Sequence, residues 1–141
     1  MQIRPTAAIV LYKGDKILLQ HRSADAPRNP NLWGCFGGGI EAGETPLEAV
    51  KREALEEIEY ILKHPVLIDT ESRHSGEVQG NFYTYVEEYD GTPIVLHEGQ
   101  GYGWFTRDEA LALPLTPSRR AALVRLQDKI FQLSAPMDTV K

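Results

Sequence analysis

The sequence predicts one α+β domain, for three reasons. β-branched stretches open the chain, one strongly periodic helix follows, and further strands precede two more helices. Its 141 residues suffice for one core of ordinary size, and no repeat, linker or low-complexity tract divides residues 1–141. Apolar residues at 42% and charged residues at 25% are globular proportions, which excludes a wholly disordered or fibrous chain.

Taken in order, Arg4–Tyr12 runs into Lys13-Gly14-Asp15, a turn signal, and Ile17–Gln20 resumes an apolar run, so the opening reads as a β-hairpin. Arg22–Asn31, with two prolines and no period, is a loop. Leu32–Phe36 is a short buried strand that delivers the chain into Gly37-Gly38-Gly39, where backbone can approach something closely. Thr45-Pro46-Leu47-Glu48 combines a capping box with proline at the first helical position. Leu47, Val50, Ala54, Ile58 and Ile61 then recur every three or four residues as one apolar stripe, and the helix stops before His64-Pro65. Pro65–Ile68, Asn81–Tyr89 and Gly101–Phe105 read as strands. A second capping box, Thr106–Glu109, opens a short helix through Leu113. Thr116-Pro117 starts the last helix, with Ala122, Leu123, Leu126, Ile130 and Phe131 inward.

Fifteen basic against 20 acidic residues give a net charge of −5, which argues against stable nucleic-acid binding through phosphate contacts. The single cysteine, Cys35, permits neither an internal disulfide nor a cysteine-rich zinc site. Ala7–Tyr12 is too short an apolar run to span a bilayer and lacks a signal-peptide layout, so no membrane partner is expected. The expected setting is the reducing cytosol.

The chemistry concentrates on the first helix. At about 100° per residue, Glu53, Glu56 and Glu57 fall within one arc beside the apolar stripe. Like charges at those spacings oppose each other, and a hard divalent cation is their natural counter-charge. Alone, such a triplet is ordinary helix surface. Here a glycine-rich stretch, Gly37–Glu44, leads straight into the helix N-terminus, where unpaired amides favour anions. A phosphate cradle and a metal-binding face in one short segment amount to a diphosphate site.

Gly38, Glu44 and Arg52-Glu53-Ala54-Leu55-Glu56-Glu57-Ile58-Glu59-Tyr60 resemble the Nudix box, G-x5-E-x7-R-E-U-x-E-E-x-G-U with U bulky and apolar, over residues 38–60. Every charged position fits, as does the leading glycine. Glu59 replaces the second glycine, and Ala54 and Tyr60 hold the flanking apolar positions. With Glu59 in place of a turn-forming glycine, the helix is expected to continue towards Lys63.

The resemblance implies an α/β/α sandwich with a mixed central sheet and a loop-helix-loop box. It implies that Glu53, Glu56 and Glu57, with the Gly38 carbonyl, hold Mg²⁺ or Mn²⁺. Arg52 would orient the box carboxylates, and Glu44 would act near the metal shell or position a water. Glu98, in a segment similar to the family's loop before a Trp-containing strand, would be a ligand or general base. The implied reaction is hydrolysis of the diphosphate linkage of a nucleoside diphosphate joined to another group, with a (deoxy)nucleoside triphosphate as the foremost substrate. A nucleotide sugar or ADP-ribose is the alternative substrate, and a nucleotide-sensing module without catalysis is a further alternative. Arg22 or Arg28 is expected to meet charge developing on the leaving phosphate. The partner is a small nucleotide, and a homodimer is left open.

Other features read as structural. Phe82, Tyr83, Tyr85, Trp33 and Trp104 pack in the core, and Arg119, Arg120, Arg125 and Lys129 form a solvated helix face. Cys35 is a small buried hydrophobe. His21, His64 and His74 lack zinc spacing, and His97 is structural or exposed.

Overall fold

The structure, a computed structural model, describes residues 5–75 and 78–132, with the side chains of 73–80 and 125–132 outside that description. In chain order the elements are β1 (Thr6–Lys13), β2 (Lys16–His21), β3 (Trp33–Gly34), β4 (Phe36–Gly39), α1 (Pro46–Ile58), β5 (Val66–Ser75), β6 (Val78–Glu88), β7 (Gly101–Phe105), α2 (Arg107–Leu111) and α3 (Pro117–Gln132). The chain forms two compact units. The first takes the segment through Val10, Phe36–Glu87 and Gly91–His97; the second takes Leu11–Cys35, Glu88–Asp90 and the chain from Glu98 on. Strand β1 runs through both.

In the first unit β4 lies antiparallel to β1, with Ala7 opposite Gly38 and Ile9 opposite Phe36. The neighbour order β1-β6-β5 completes this part of the sheet, β5 and β6 pairing antiparallel from Val66↔Val86 outward. Ile9, Val10 and Phe36 from the strands are buried, as are Val50, Ala54, Ile58 and Tyr60 from α1 and the residues just after it. In the second unit β2 pairs along its length with β7, from Ile17↔Phe105 to His21↔Gly101, and also with the end of β1 and with β3. Trp33 bridges Leu115 in the parallel sense, so the pairing is mixed. Ile17, Leu18 and Leu19 are buried there with Ala110, Leu115, Ala122 and Leu123. The architecture is the α+β combination of mixed sheet and helices that the sequence predicts.

Five expectations are corrected. First, Gly37–Gly39 belong to strand β4, and the loop proper is 40–45. Second, α1 ends at Ile58, because Glu59 adopts the left-handed conformation (φ +54°) and its N–H reaches back to Leu55 O at 3.1 Å. Tyr60, fully buried, pins the chain after that turn. Third, ending the helix there takes Ile61 off the stripe, leaving it 64% exposed, and Leu47 in the first turn is 40% exposed. Val50, Ala54 and Ile58 alone carry the expected burial, joined by Ala49 and by Glu57. Fourth, Arg119 is buried, not solvated, while Arg120 is exposed and donates to Leu111 O and Leu113 O, closing the end of α2. The side chains of Arg125, Lys129, Leu126, Ile130, Phe131 and His74 lie outside the described residues. Fifth, strand β5 continues to Ser75, well beyond the expected Ile68.

Candidate active site

Helix α1 is locked at its start by the predicted capping box. Thr45 Oγ1 accepts from Glu48 N–H at 3.1 Å, and Glu48 Oε1 accepts from Thr45 N–H at 2.9 Å. A fixed start fixes the rotation of every residue that follows, so Glu53 and Glu57 face β4. A Cβ at Gly38 would stand 2.7 Å from the Glu53 carboxylate carbon, so the glycine leaves the space that Glu53 fills. Next to it, Gly37 N–H donates to Glu57 Oε1 at 2.9 Å. Gly37 itself is required by its neighbour strand, because its φ is +146° and a Cβ would meet Ala7 O at 2.2 Å. The glycine stretch expected to cradle phosphate is therefore a seat for the protein's own acids. Glu57 is buried, Glu53 half-buried, and Glu56 exposed.

Arg52 ties this face together. Its Nε and Nη2 donate to the two Glu44 oxygens at 2.7 and 2.9 Å, a bidentate pairing that matches the guanidinium fork. Nη1 donates to Glu53 Oε2 at 2.9 Å and Glu56 Oε1 at 3.3 Å, and Nη2 also reaches Gly39 O at 3.0 Å. Glu41 approaches the same Nη1 at 3.9 Å. These bonds, above all those from Glu44, hold the arginine charged well above its ordinary range. One guanidinium facing Glu41, Glu44, Glu53 and Glu56 leaves negative charge over.

That surplus bears on the implied divalent cation. Among the described residues no three His, Cys, Asp or Glu groups stand ready to enclose a metal ion, and the acids gather on Arg52 instead. In kind, however, the donors fit: hard anionic oxygens from the helix and the loop before it, with one positive neighbour, suit a hard divalent cation. The Gly38, Glu44, Arg52, Glu53, Glu56 and Glu57 expected from sequence are thus brought together in the first unit.

Glu98 belongs to the second unit and is exposed. Two residues that the sequence reading passed over position its loop. Gln20, buried at the end of the β2 apolar run, donates through Nε2 to Glu98 O at 3.0 Å. Gln100 Nε2 donates to Arg22 O at 2.7 Å and Asn31 Oδ1 at 2.9 Å, tying both ends of the 22–31 loop. Between them a Cβ on Gly99 would meet His21 O at 2.8 Å. The result is a cleft of about 200 Å³ lined by Gln20, Arg22, Ser23, Asp25, Glu98 and Gly99, among others. Arg22 is braced by donation from Nε to Arg28 O at 3.1 Å. A third residue passed over is Glu87, buried on β6 and bonded to the amides of Lys63 and His64. An acid in the inward register of an apolar strand was its signal.

The features read as structural behave so, with adjustments. His21 stacks on Trp33 at 4.5 Å, and Lys13 lies over Trp104 at 4.4 Å. Tyr85 is buried, whereas Phe82 and Tyr83 are half-buried. Cys35 is half-buried, and burial pushes its thiol up against the opposing pull of Arg119, which keeps it protonated and unreactive. His97 is exposed and bonds to Glu59.

A sequence profile described as the NUDIX domain matches residues 2–126. The chain is 30% identical to the CTP pyrophosphohydrolase of Escherichia coli (strain K12), over 84% of this chain and 87% of that protein. It is also 30% identical to the NAD-capped RNA hydrolase NudC of Chromobacterium violaceum, over 95% of this chain but only half of that longer protein. Its fold superposes on the crystal structure of a MutT Nudix hydrolase from Burkholderia pseudomallei with a TM-score of 0.76, at 24% identity, over 89% of this chain and 98% of that one. Among the described residues no helix is long and apolar enough to cross a membrane. With the profile match spanning both compact units, the chain belongs to the Nudix family and is a Nudix-type hydrolase of phosphoric anhydrides.

Proposed function

We propose that this protein is a (deoxy)nucleoside triphosphate pyrophosphohydrolase, acting as a single domain in the cytosol. The observation that carries the reading is the acid array on α1 and the loop before it, with Glu44, Glu53 and Glu56 organised by Arg52 and Glu57 seated on the Gly37 amide. The triphosphate is favoured over a capped or dinucleotide substrate because similarity to the CTP pyrophosphohydrolase extends across most of both chains.

Nudix enzymes use divalent metal ions. Here Glu53, Glu56, Glu57 and the Gly38 carbonyl would hold Mg²⁺ or Mn²⁺, with Glu98 as a further ligand or the general base. The ion supplies charge neutralisation at the phosphates and a more acidic water. The chain's own residues do the rest. Arg52 keeps the acids oriented through bonds to Glu53 and Glu56, and Glu44 fixes Arg52 in turn. Glu98, exposed and ready to take a proton from the attacking water, lines the same cleft as Arg22. The Arg22 guanidinium there meets charge developing on the departing phosphate.

The test is pyrophosphate release from nucleoside triphosphates, dinucleotides and nucleotide sugars with Mg²⁺ or Mn²⁺, with Glu57→Gln as control. Turnover of triphosphates that requires the metal and is lost in the variant supports the reading. Turnover confined to NAD-like dinucleotides, ADP-ribose or nucleotide sugars would replace the substrate. Saturable binding without turnover would make the protein a sensor.

A further inference from the structure

The box pattern places glycine after the helix, and Glu59 stands there instead. The backbone has made no concession to it, since Glu59 sits at φ 54° and ψ 38°, a region that disfavours any residue with a Cβ. A strained residue persists where its surroundings over-determine it, and here the side chain is engaged. Its carboxylate accepts from His97 Nε2, and both side chains are about half exposed. Two backbone bonds run beside this contact: His97 N–H to Glu57 O at 2.7 Å and Val95 N–H to Ile58 O at 3.2 Å. The segment Gly91–His97 thereby closes the carbonyl end of α1, where a helix otherwise leaves acceptors unfilled. The carbonyl gripped by His97 belongs to Glu57, and the next residue along the chain is Glu98.

We propose that Glu59 and His97 are positioning residues of this hydrolase, forming a clasp that fixes the helix end bearing Glu57 and the segment leading into Glu98. The proposal rests on the reading of those two glutamates as catalytic groups, whereas the clasp itself is measurable without any turnover.

The experiment uses the full chain with Glu59→Gly, His97→Ala and Glu59→Gln. Amide hydrogen exchange at Val95 and His97, melting temperature, kcat and KM are read for each. Glu59→Gly relieves the left-handed strain while removing the clasp, so its melting temperature holds or rises. Its His97 amide exchanges about fivefold faster, the size expected for loss of an exposed pair. Its kcat falls by a similar factor while KM stays within about twofold. His97→Ala speeds exchange and lowers kcat alike but, keeping the left-handed Glu59, gains nothing in melting temperature, and Glu59→Gln keeps an acceptor and stays near wild type. Unchanged exchange in Glu59→Gly overturns the clasp. Faster exchange with unchanged kcat overturns the positioning role. A wild-type chain that hydrolyses none of the substrates overturns the underlying reading, and the exchange data tell that failure from the first.

Discussion

Glu87 and the acids of α1 lie in the same compact unit, yet they are stabilised in opposite ways. Glu87 accepts from the amides of two consecutive residues, Lys63 N–H at 3.0 and 3.1 Å and His64 N–H at 2.8 Å. Those donors are fixed by the turn after α1 and cannot follow a ligand. Glu53 and Glu56 meet the end of one long side chain, Arg52, which can regroup, and Glu44 meets it too while also accepting from the Glu41 amide at 3.0 Å. Glu57 falls between, since its carboxylate accepts from the amide of Gly37 on β4, not from a turn. A carboxylate caught by turn amides serves the fold; carboxylates gathered on a guanidinium meet a partner that can move.

The comparison can be broken by exchanging the effects of the two classes. Glu57→Gln should lower kcat by about 10²- to 10⁴-fold, the range for a positioned proton-transfer or metal-holding group, with the melting temperature unchanged or raised. Unfolding with retained specific activity would place Glu57 with Glu87. Arg52→Lys keeps the charge but loses the fork, and about a 10- to 100-fold loss of activity is expected, as for groups that orient metal ligands. A steady-state assay across Mg²⁺ concentrations would show it as a higher Mg²⁺ concentration for half-maximal activity. Glu87→Gln should behave oppositely. It should cost about 2 kcal/mol of stability through its weakened bonds to buried amides, lowering the melting temperature by roughly 4–8 °C, while kcat per folded molecule holds. Calorimetry and an assay on the same sample check both. Glu41→Gln should do least. At 59% side-chain exposure and 3.9 Å from Arg52, it should change neither activity nor stability beyond error.

The site was more legible than its framing. Capping boxes are local grammar, so the starts of α1 and α2 could be read at Thr45 and Thr106 without knowing the rest of the chain. The acids at 44, 53, 56 and 57 were visible because their spacing survives folding unchanged. The end of α1 was not, because the chain resolves Glu59 through contacts made 36 to 38 residues later, at Val95 and His97. Strand β5 escaped notice past Ile68 because Asp69-Thr70-Glu71-Ser72 shows no apolar alternation, and its pairing is supplied by β6. Gly37–Gly39 looked like loop because glycine weakens strands, yet here Ala7 and Glu53 occupy the space that side chains would need. Burial of Arg119 has no local signature at all, since its neighbours in sequence are Ser118 and Arg120.

The His21–Trp33 stack, nearly parallel at 4°, gives the protein a built-in optical gauge. His21 also shares a hydrogen bond with Asn31 O at 3.1 Å, at the far end of the loop whose near end carries Arg22. A ligand that shifted that loop would move the imidazole across the indole and alter its emission. Trp104, beneath Lys13, supplies a second indole outside this stack as an internal reference. Intrinsic fluorescence would thus report a shift of this loop without a label or a reporter substrate.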